Sequence, residues 1–267
     1  LRRILFIVTA VVVLGAAATA YAAINTYQST VIPTSKTAGS VSNPVSIGYT
    51  QNISAAGTNG NRTAVLTNIT TKIYGVKADG KDFPTCSLTT IASAHNDTVC
   101  PKGAEVATGF ITAVLGSSTN FNAGTEPGQA CDPLLDVWNA GQGKLVYFFV
   151  DTPAHQCLGG ALVTGDTGPY PATETTQGKY LVVAVPIPTY VDFPAPGEAG
   201  SLVTEHLVWA KHTTKVKGKT VASLASVGCL KGKRPYTTTF EANLPNSTTG
   251  GPGPTVTDTI KGSAPCS

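Results

Sequence analysis

Val65-Leu66-Thr67-Asn68-Ile69-Thr70-Thr71-Lys72-Ile73 and Tyr236-Thr237-Thr238-Thr239-Phe240-Glu241-Ala242-Asn243-Leu244 are the two stretches that decide the fold class. In the first, Val65, Thr67, Ile69, Thr71 and Ile73 recur at every second residue; in the second, Tyr236, Thr238, Phe240, Ala242 and Leu244 do the same. Period two places each set on one face of an extended strand, and β-branched and aromatic side chains suit that pleated surface. Residues 45–51, 106–115, 144–150, 180–185, 201–211 and 220–227 read the same way, and most are separated by Gly, Pro, Asn or Asp clusters. Lys217-Gly218-Lys219 reads as a hairpin turn, and 116–128, 159–171 and 186–200 as long loops. Charged residues are 12% of the chain and aromatic residues 7%, which favours short strands and turns over long helices.

The expected class is therefore all-β: an antiparallel β sandwich of roughly nine strands, immunoglobulin-like in form, with one short disulfide-closed helix. The alternative that length leaves open is two small β lobes divided near residue 130. Arg2 and Arg3, the apolar run 4–14 and Ala20-Tyr21-Ala22 match an export leader with an A-x-A cleavage site, so residues 1–22 read as a signal peptide. Residues 23–245 are then the β domain. Residues 246–267, rich in Pro, Ser, Thr and Gly, read as a C-terminal tail held by a disulfide. No stable membrane anchor is expected, since the apolar run falls short of the ~20 residues that span a bilayer.

Six cysteines in an exported chain without a Cys-x-x-Cys spacing point to disulfides rather than to metal ligands. Fifteen pairings are possible. Proximity favours the sequential one: Cys86 with Cys100, Cys131 with Cys157, and Cys229 with Cys266. Leu88, Ile91 and Ala92 stand at helical spacing inside the first loop.

Lys36 to Gly39, Asn43-Pro44, Phe83-Pro84-Thr85-Cys86-Ser87, Cys100-Pro101-Lys102-Gly103-Ala104 and Ala107-Thr108-Gly109 form a framework of Pro, Cys and Gly positions. It resembles a family of uncharacterised secreted proteins of actinomycete-type bacteria, and the similarity extends through Cys157 and residues 202–236. The resemblance implies export and a β framework, and it carries no activity, cofactor or catalytic residue.

Charge is the uneven feature. Residues 206–240 carry Lys211, Lys215, Lys217, Lys219, Lys231, Lys233 and Arg234 and no acidic residue, whereas acids outnumber bases in the rest of the mature chain. A hairpin of that sign attracts anionic envelope polymer or extracellular polysaccharide through its field, with no specific nucleic-acid partner implied. Lysines also keep an exposed strand edge soluble. The expected function is a non-enzymatic extracellular or envelope-associated structural or binding protein without a cofactor. No oligomeric state is implied.

The alternative is a secreted hydrolase acting on envelope carbohydrate, which needs two carboxyls across the scissile bond. Asp132, Asp136 and Asp151 are candidates to converge near the bridge expected between Cys131 and Cys157, with His155 as a further candidate, and Glu205 and Glu241 are candidates to meet across neighbouring strands. His95, His155, His206 and His212 have no second ligand at metal spacing, and Gly-x-Ser-x-Gly is absent. Tyr147, Phe148, Phe149, Trp138 and Trp209 are candidates for a sugar-stacking platform; Trp138 is the better candidate for exposure, although a single Trp covering the edge of the core is the more frequent outcome.

Overall fold

The computed structural model describes residues 25–155, 168–246 and 248–267. The leader read over 1–22, residues 159–167 and Cys157 lie outside them. The strands are β1 (Asn25–Pro33), β2 (Val45–Ser46), β3 (Tyr49–Gly57), β4 (Val65–Tyr74), β5 (Val76–Ala78), β6 (Glu105–Ser117), β7 (Gln129–Cys131), β8 (Leu134–Asn139) and β9 (Lys144–Val150). Then follow β10 (Tyr170–Gln177), β11 (Tyr180–Pro186), β12 (Glu198–Trp209), β13 (Thr213–Val216), β14 (Lys219–Ala222), β15 (Leu224–Ser226), β16 (Lys233–Pro245) and β17 (Pro252–Pro265). Two short helices, α1 (Leu88–Ala94) and α2 (Thr189–Asp192), complete the described elements.

The protein is all-β, and its strand pairs are antiparallel. Hydrogen bonding does not divide the main strands into the two sheets of a sandwich. It joins twelve of them in one sheet, in the order β1-β3-β12-β6-β8-β9-β10-β11-β4-β16-β17, with β7 beside β6. The sheet curls until its ends meet as a near-barrel. Tyr27 of β1 stacks on Phe240 of β16 with ring centroids 4.4 Å apart, and the Ser29 and Thr238 hydroxyls lie 2.7 Å apart.

Alternation sets the inner face. Tyr27, Ser29 and Val31 of β1, Tyr49, Gln51 and Ile53 of β3, and Tyr236, Thr238 and Phe240 of β16 are all buried. The face expected for β16 is intact from Tyr236 to Leu244. In β4 a register shift intervenes: Ala242 pairs with Leu66 and Glu241 with Asn68, so Thr67 bulges out of the ladder. Leu66 therefore joins Ile69 in one core cluster, while Val65 packs instead against Phe121 and Ala199.

Strand β9 is apolar throughout because both its faces are covered. Leu145, Tyr147 and Phe149 belong to the largest core cluster, and Val146 and Phe148 pack outward against Cys86, Ile91 and Trp138. That outer cover is the Cys86–Cys100 loop with α1, capped at its start by the Ser87 hydroxyl, which accepts from the Thr90 amide at 3.1 Å. Trp138 is buried in that outer cluster, the more frequent outcome for a single Trp at the edge of a core, and its indole Nε1 donates to the Asp97 carboxylate at 3.2 Å.

The segment read as a tail is a strand. Thr255, Thr257 and Thr259 of β17 pair with Asn243, Glu241 and Thr239 of β16, and Cys266 is bridged to Cys229. The β-branched run of β17 is present in the sequence, but the flanking Gly and Pro residues obscure it. Cys131 is disulfide-bonded as well.

Phe240 is fully buried and stacked at the closure. Phe240→Ala is expected to lower unfolding free energy by about 3–5 kcal/mol in urea titration, and a loss below about 1 kcal/mol would mean that the closure contributes little.

Candidate functional site

Strands β13 and β14 leave the main sheet as a two-stranded finger, with Val216 paired to Lys219. Lys217 and Gly218 both have positive φ, 50° and 79°, the geometry of a two-residue type I′ turn matched to strand twist. Lys211, Lys215, Lys217, Lys219, Lys231 and Lys233 are exposed. Cross-strand register puts Lys215 beside Thr220 and Lys219 beside Val216, so the lysines surround the finger rather than forming a patch on one face. The ion pair found among the described residues is Lys81 with Asp79, at 3.8 Å, and it involves none of these six.

Arg234 does not share that surface. It is 1% exposed and donates to the Gly75 carbonyl at 3.1 Å, the Ser226 hydroxyl at 2.7 Å and Cys266 Sγ at 3.2 Å. Its guanidinium ties β15 and the Cys229–Cys266 bridge to the turn after β4, and burial lowers its pKa. A positive residue at an alternation-in position of β16 is pointed inward by the same period that buries Tyr236.

A partly open cavity of about 90 Å³ lies where the two larger core clusters meet. Leu135, Phe149 and Tyr170 line it from one cluster, and Leu66 and Ile69 from the other. Two carboxyls also line it: Glu205 on β12, on the inward face with Leu207 and Trp209, and Asp192 at the end of α2. Burial pushes Glu205 up to about 7 and Asp192 up to about 8. Both act on Tyr170, whose pKa rises chiefly through its own burial. A second void, of about 10 Å³, is lined by Glu174, Trp209, His212 and Ser223 and is too small for an organic ligand.

Of the carboxyls named for hydrolysis, Glu205 lines this cavity and Asp132, Asp136, Asp151 and Glu241 do not. Asp136 points outward beneath the disulfide-closed loop, where burial, then a side-chain hydrogen bond with Asp97, then the charges of Asp97 and Glu105 raise its pKa. Asp132 precedes β8 and Asp151 follows β9, at the open end of that hairpin. His155 is engaged in a backbone bridge with Thr152. Glu205 and Glu241 do not meet across neighbouring strands, because β12 pairs with β3 and β6 whereas β16 pairs with β4 and β17. Tyr147, Phe148, Phe149 and Trp209 are buried, as Trp138 is, so they form no stacking platform. His206 meets Asn52 Oδ1 at 2.6 Å through Nδ1, and His95 ends α1 in a left-handed conformation. No group of three His, Cys, Asp or Glu side chains among the described residues could hold a metal ion.

Sequence reasoning singled out Glu205, although with the wrong partner, and missed Asp192. The signal for Glu205 was its place in the alternation of 201–211. Asp192 lies in an irregular stretch where no period indicates direction. No family model, curated protein or solved structure matches this chain.

The buried charges govern stability in two ways. Arg234→Ala is expected to cost at least about 2 kcal/mol of stability, as charged hydrogen bonds disappear, whereas Lys217→Ser should stay within about 0.5 kcal/mol; chemical denaturation separates them. Asp192 and Glu205 hold protons in the folded state that the unfolded chain has released. Their contribution is thus complete below the ordinary carboxylate range and is lost as pH rises through 7 to 8. The urea midpoint should fall from pH 5 to pH 8, and Asp192→Asn with Glu205→Gln should flatten that fall by up to about 1.4 kcal/mol per pH unit for each carboxyl; a midpoint independent of pH in the native protein would contradict this.

Proposed function

We propose that this is a non-enzymatic, exported binding protein, released or held non-covalently at the cell envelope, that contacts an anionic polysaccharide through its lysine finger. The observation that carries the reading is a protruding hairpin whose Lys215, Lys217 and Lys219 are exposed and not ion-paired among the described residues. Lys211, Lys231 and Lys233 add to the same sign of charge. Lysines arranged around a finger, rather than on one flat face, suit a flexible polyanion that can wrap it. Such contacts release counterions and so depend on salt. The two disulfides on which the frame depends are compatible with an oxidising compartment. Binding is the reading we favour over carbohydrate cleavage, because Glu205 and Glu241 stand on strands that do not neighbour one another and Asp136 lies beneath the disulfide-closed loop beside Asp97.

The test is retention of the mature protein on immobilised polyuronate across a sodium chloride series, with neutral dextran and duplex DNA as comparisons. The variant changes Lys211, Lys215, Lys217, Lys219, Lys231 and Lys233 to Ser and leaves Arg234 in place, since Arg234 is structural. The expected result is retention on polyuronate that weakens with salt, and a salt slope that is shallower in the variant by about one for each lysine that engages the polymer. Equal retention on dextran, or an unchanged slope in the variant, would remove the finger as the binding surface, and tighter binding to DNA would replace the glycan with nucleic acid.

A further inference from the structure

The cavity combines an apolar wall with two carboxyl groups that nothing in the protein neutralises. Asp192 is 7% exposed and Glu205 9%. Burial is the cause of both upward shifts, neither carboxyl has a hydrogen-bond partner among the described residues, and no Lys, Arg or His lines the cavity. An isolated carboxylate in such surroundings is strongly disfavoured, and its complement is a group that donates hydrogen bonds and brings positive charge. The rings of Phe149 and Tyr170, with centroids 5.7 Å apart, lie in the same wall, and aromatic faces attract cations. Leu66, Ile69, Ile111 and Leu135 offer apolar contact to the remainder of a ligand. At about 90 Å³ the space exceeds several-fold what one water needs and approaches the roughly 150 Å³ of apolar cavities that accept a six-membered ring.

We propose that this cavity binds a small organic amine, its apolar body against the aliphatic wall and its ammonium group held by Asp192 and Glu205 beside Phe149 and Tyr170. The site is separate from the lysine finger and opposite to it in sign, so it stands whether or not the finger binds a glycan. The titratable groups facing the two carboxyls are tyrosines: Tyr49 on β3, Tyr147 on β9 and Tyr170 on β10 face Glu205, and Tyr170 also faces Asp192. Glu174 shares Tyr49 and Tyr147 with Glu205. These phenols stay neutral up to high pH, so the two carboxyls, with Glu174 nearby, govern how binding responds to pH.

The test is calorimetric titration of the full mature protein with cyclohexylamine, cyclohexanol and cyclohexanecarboxylate, at pH 8.5 and pH 5. At pH 8.5 the amine should bind roughly tenfold or more tighter than the alcohol, the order expected of a hydrogen bond between charged groups. The carboxylate should not bind. At pH 5, with Asp192 and Glu205 protonated and the amine still charged, the preference should shrink at least several-fold. Glu205→Gln and Asp192→Asn should each reduce the preference while sparing the alcohol, and Ala113→Leu, which fills the cavity, should weaken amine and alcohol together. Equal affinity for amine and alcohol in the native protein, a preference unchanged between the two pH values, or no binding of any probe at millimolar concentration would each overturn the proposal. The comparison of probes and pH values uses the native protein, so it decides the matter even if a variant fails to fold.

Discussion

The contact between β1 and β16 turns a ribbon of strands into an enclosure. Tyr27 lies on Phe240 and Ser29 reaches Thr238, a pair separated by 209 residues in the chain. Without that seam the inner face of β1 would be open to water on one side, and the two core clusters could not meet around a cavity. The closure needs the first described strand and the last two, so it can form only when nearly the whole chain is in place. Contacts of such sequence separation carry the largest loop-closure cost and form late in folding. The Cys229–Cys266 bridge and the Arg234 hydrogen bonds hold the closing strands where β1 can reach them.

The interior treats its polar groups in two ways. Around the seam several pair with one another, although the Tyr27 hydroxyl there has no partner: Gln51 donates to Thr71 at 3.1 Å, Thr71 and Thr238 approach at 3.4 Å, and Thr238 meets Ser29. This belt crosses from β3 through β4 and β16 to β1, and it fixes register among strands remote in sequence. A paired network of this kind specifies a single arrangement. Asp192 and Glu205 differ. They stand in the same enclosure without such partners, and their protonation is set by burial alone. Outside, the sign reverses, with lysines surrounding the finger.

Much of the frame could be read from local pattern. The β16 face from Tyr236 to Leu244 stands as its alternation implies, because that strand is regular over this span and has one buried side. The Lys217-Gly218 turn was legible because Gly next to a flexible residue suits the positive φ that a two-residue hairpin requires. Strand β4 was legible as a strand but not in its facing: one bulge at Thr67 exchanges Val65 for Leu66, and a bulge is a property of the pair rather than of either sequence. Strand β17 escaped because Pro and Gly at its margins resemble a tail, although Thr255 to Ile260 carry β-branched residues suited to pairing.

The sequence by itself determined what short-range physics controls: an all-β chain, a short disulfide-closed helix after Pro84, the bridges Cys86–Cys100 and Cys229–Cys266, and a lysine-bearing hairpin. Period, turn chemistry and the proximity of cysteines each act within a few tens of residues and need no knowledge of neighbours. Tertiary structure alone decided that the sheet closes on itself, that Trp138 is covered by the disulfide loop, that Arg234 is buried against the Gly75 carbonyl, the Ser226 hydroxyl and Cys266, and that Asp192 and Glu205 share a cavity while Glu241 stays apart. Which face of a regular strand is inside can be read from its own residues, but where a bulge falls and what that face meets depend on strands far away in the chain. An ionisable side chain takes its chemistry from that meeting, because burial and the nearest charges set its protonation.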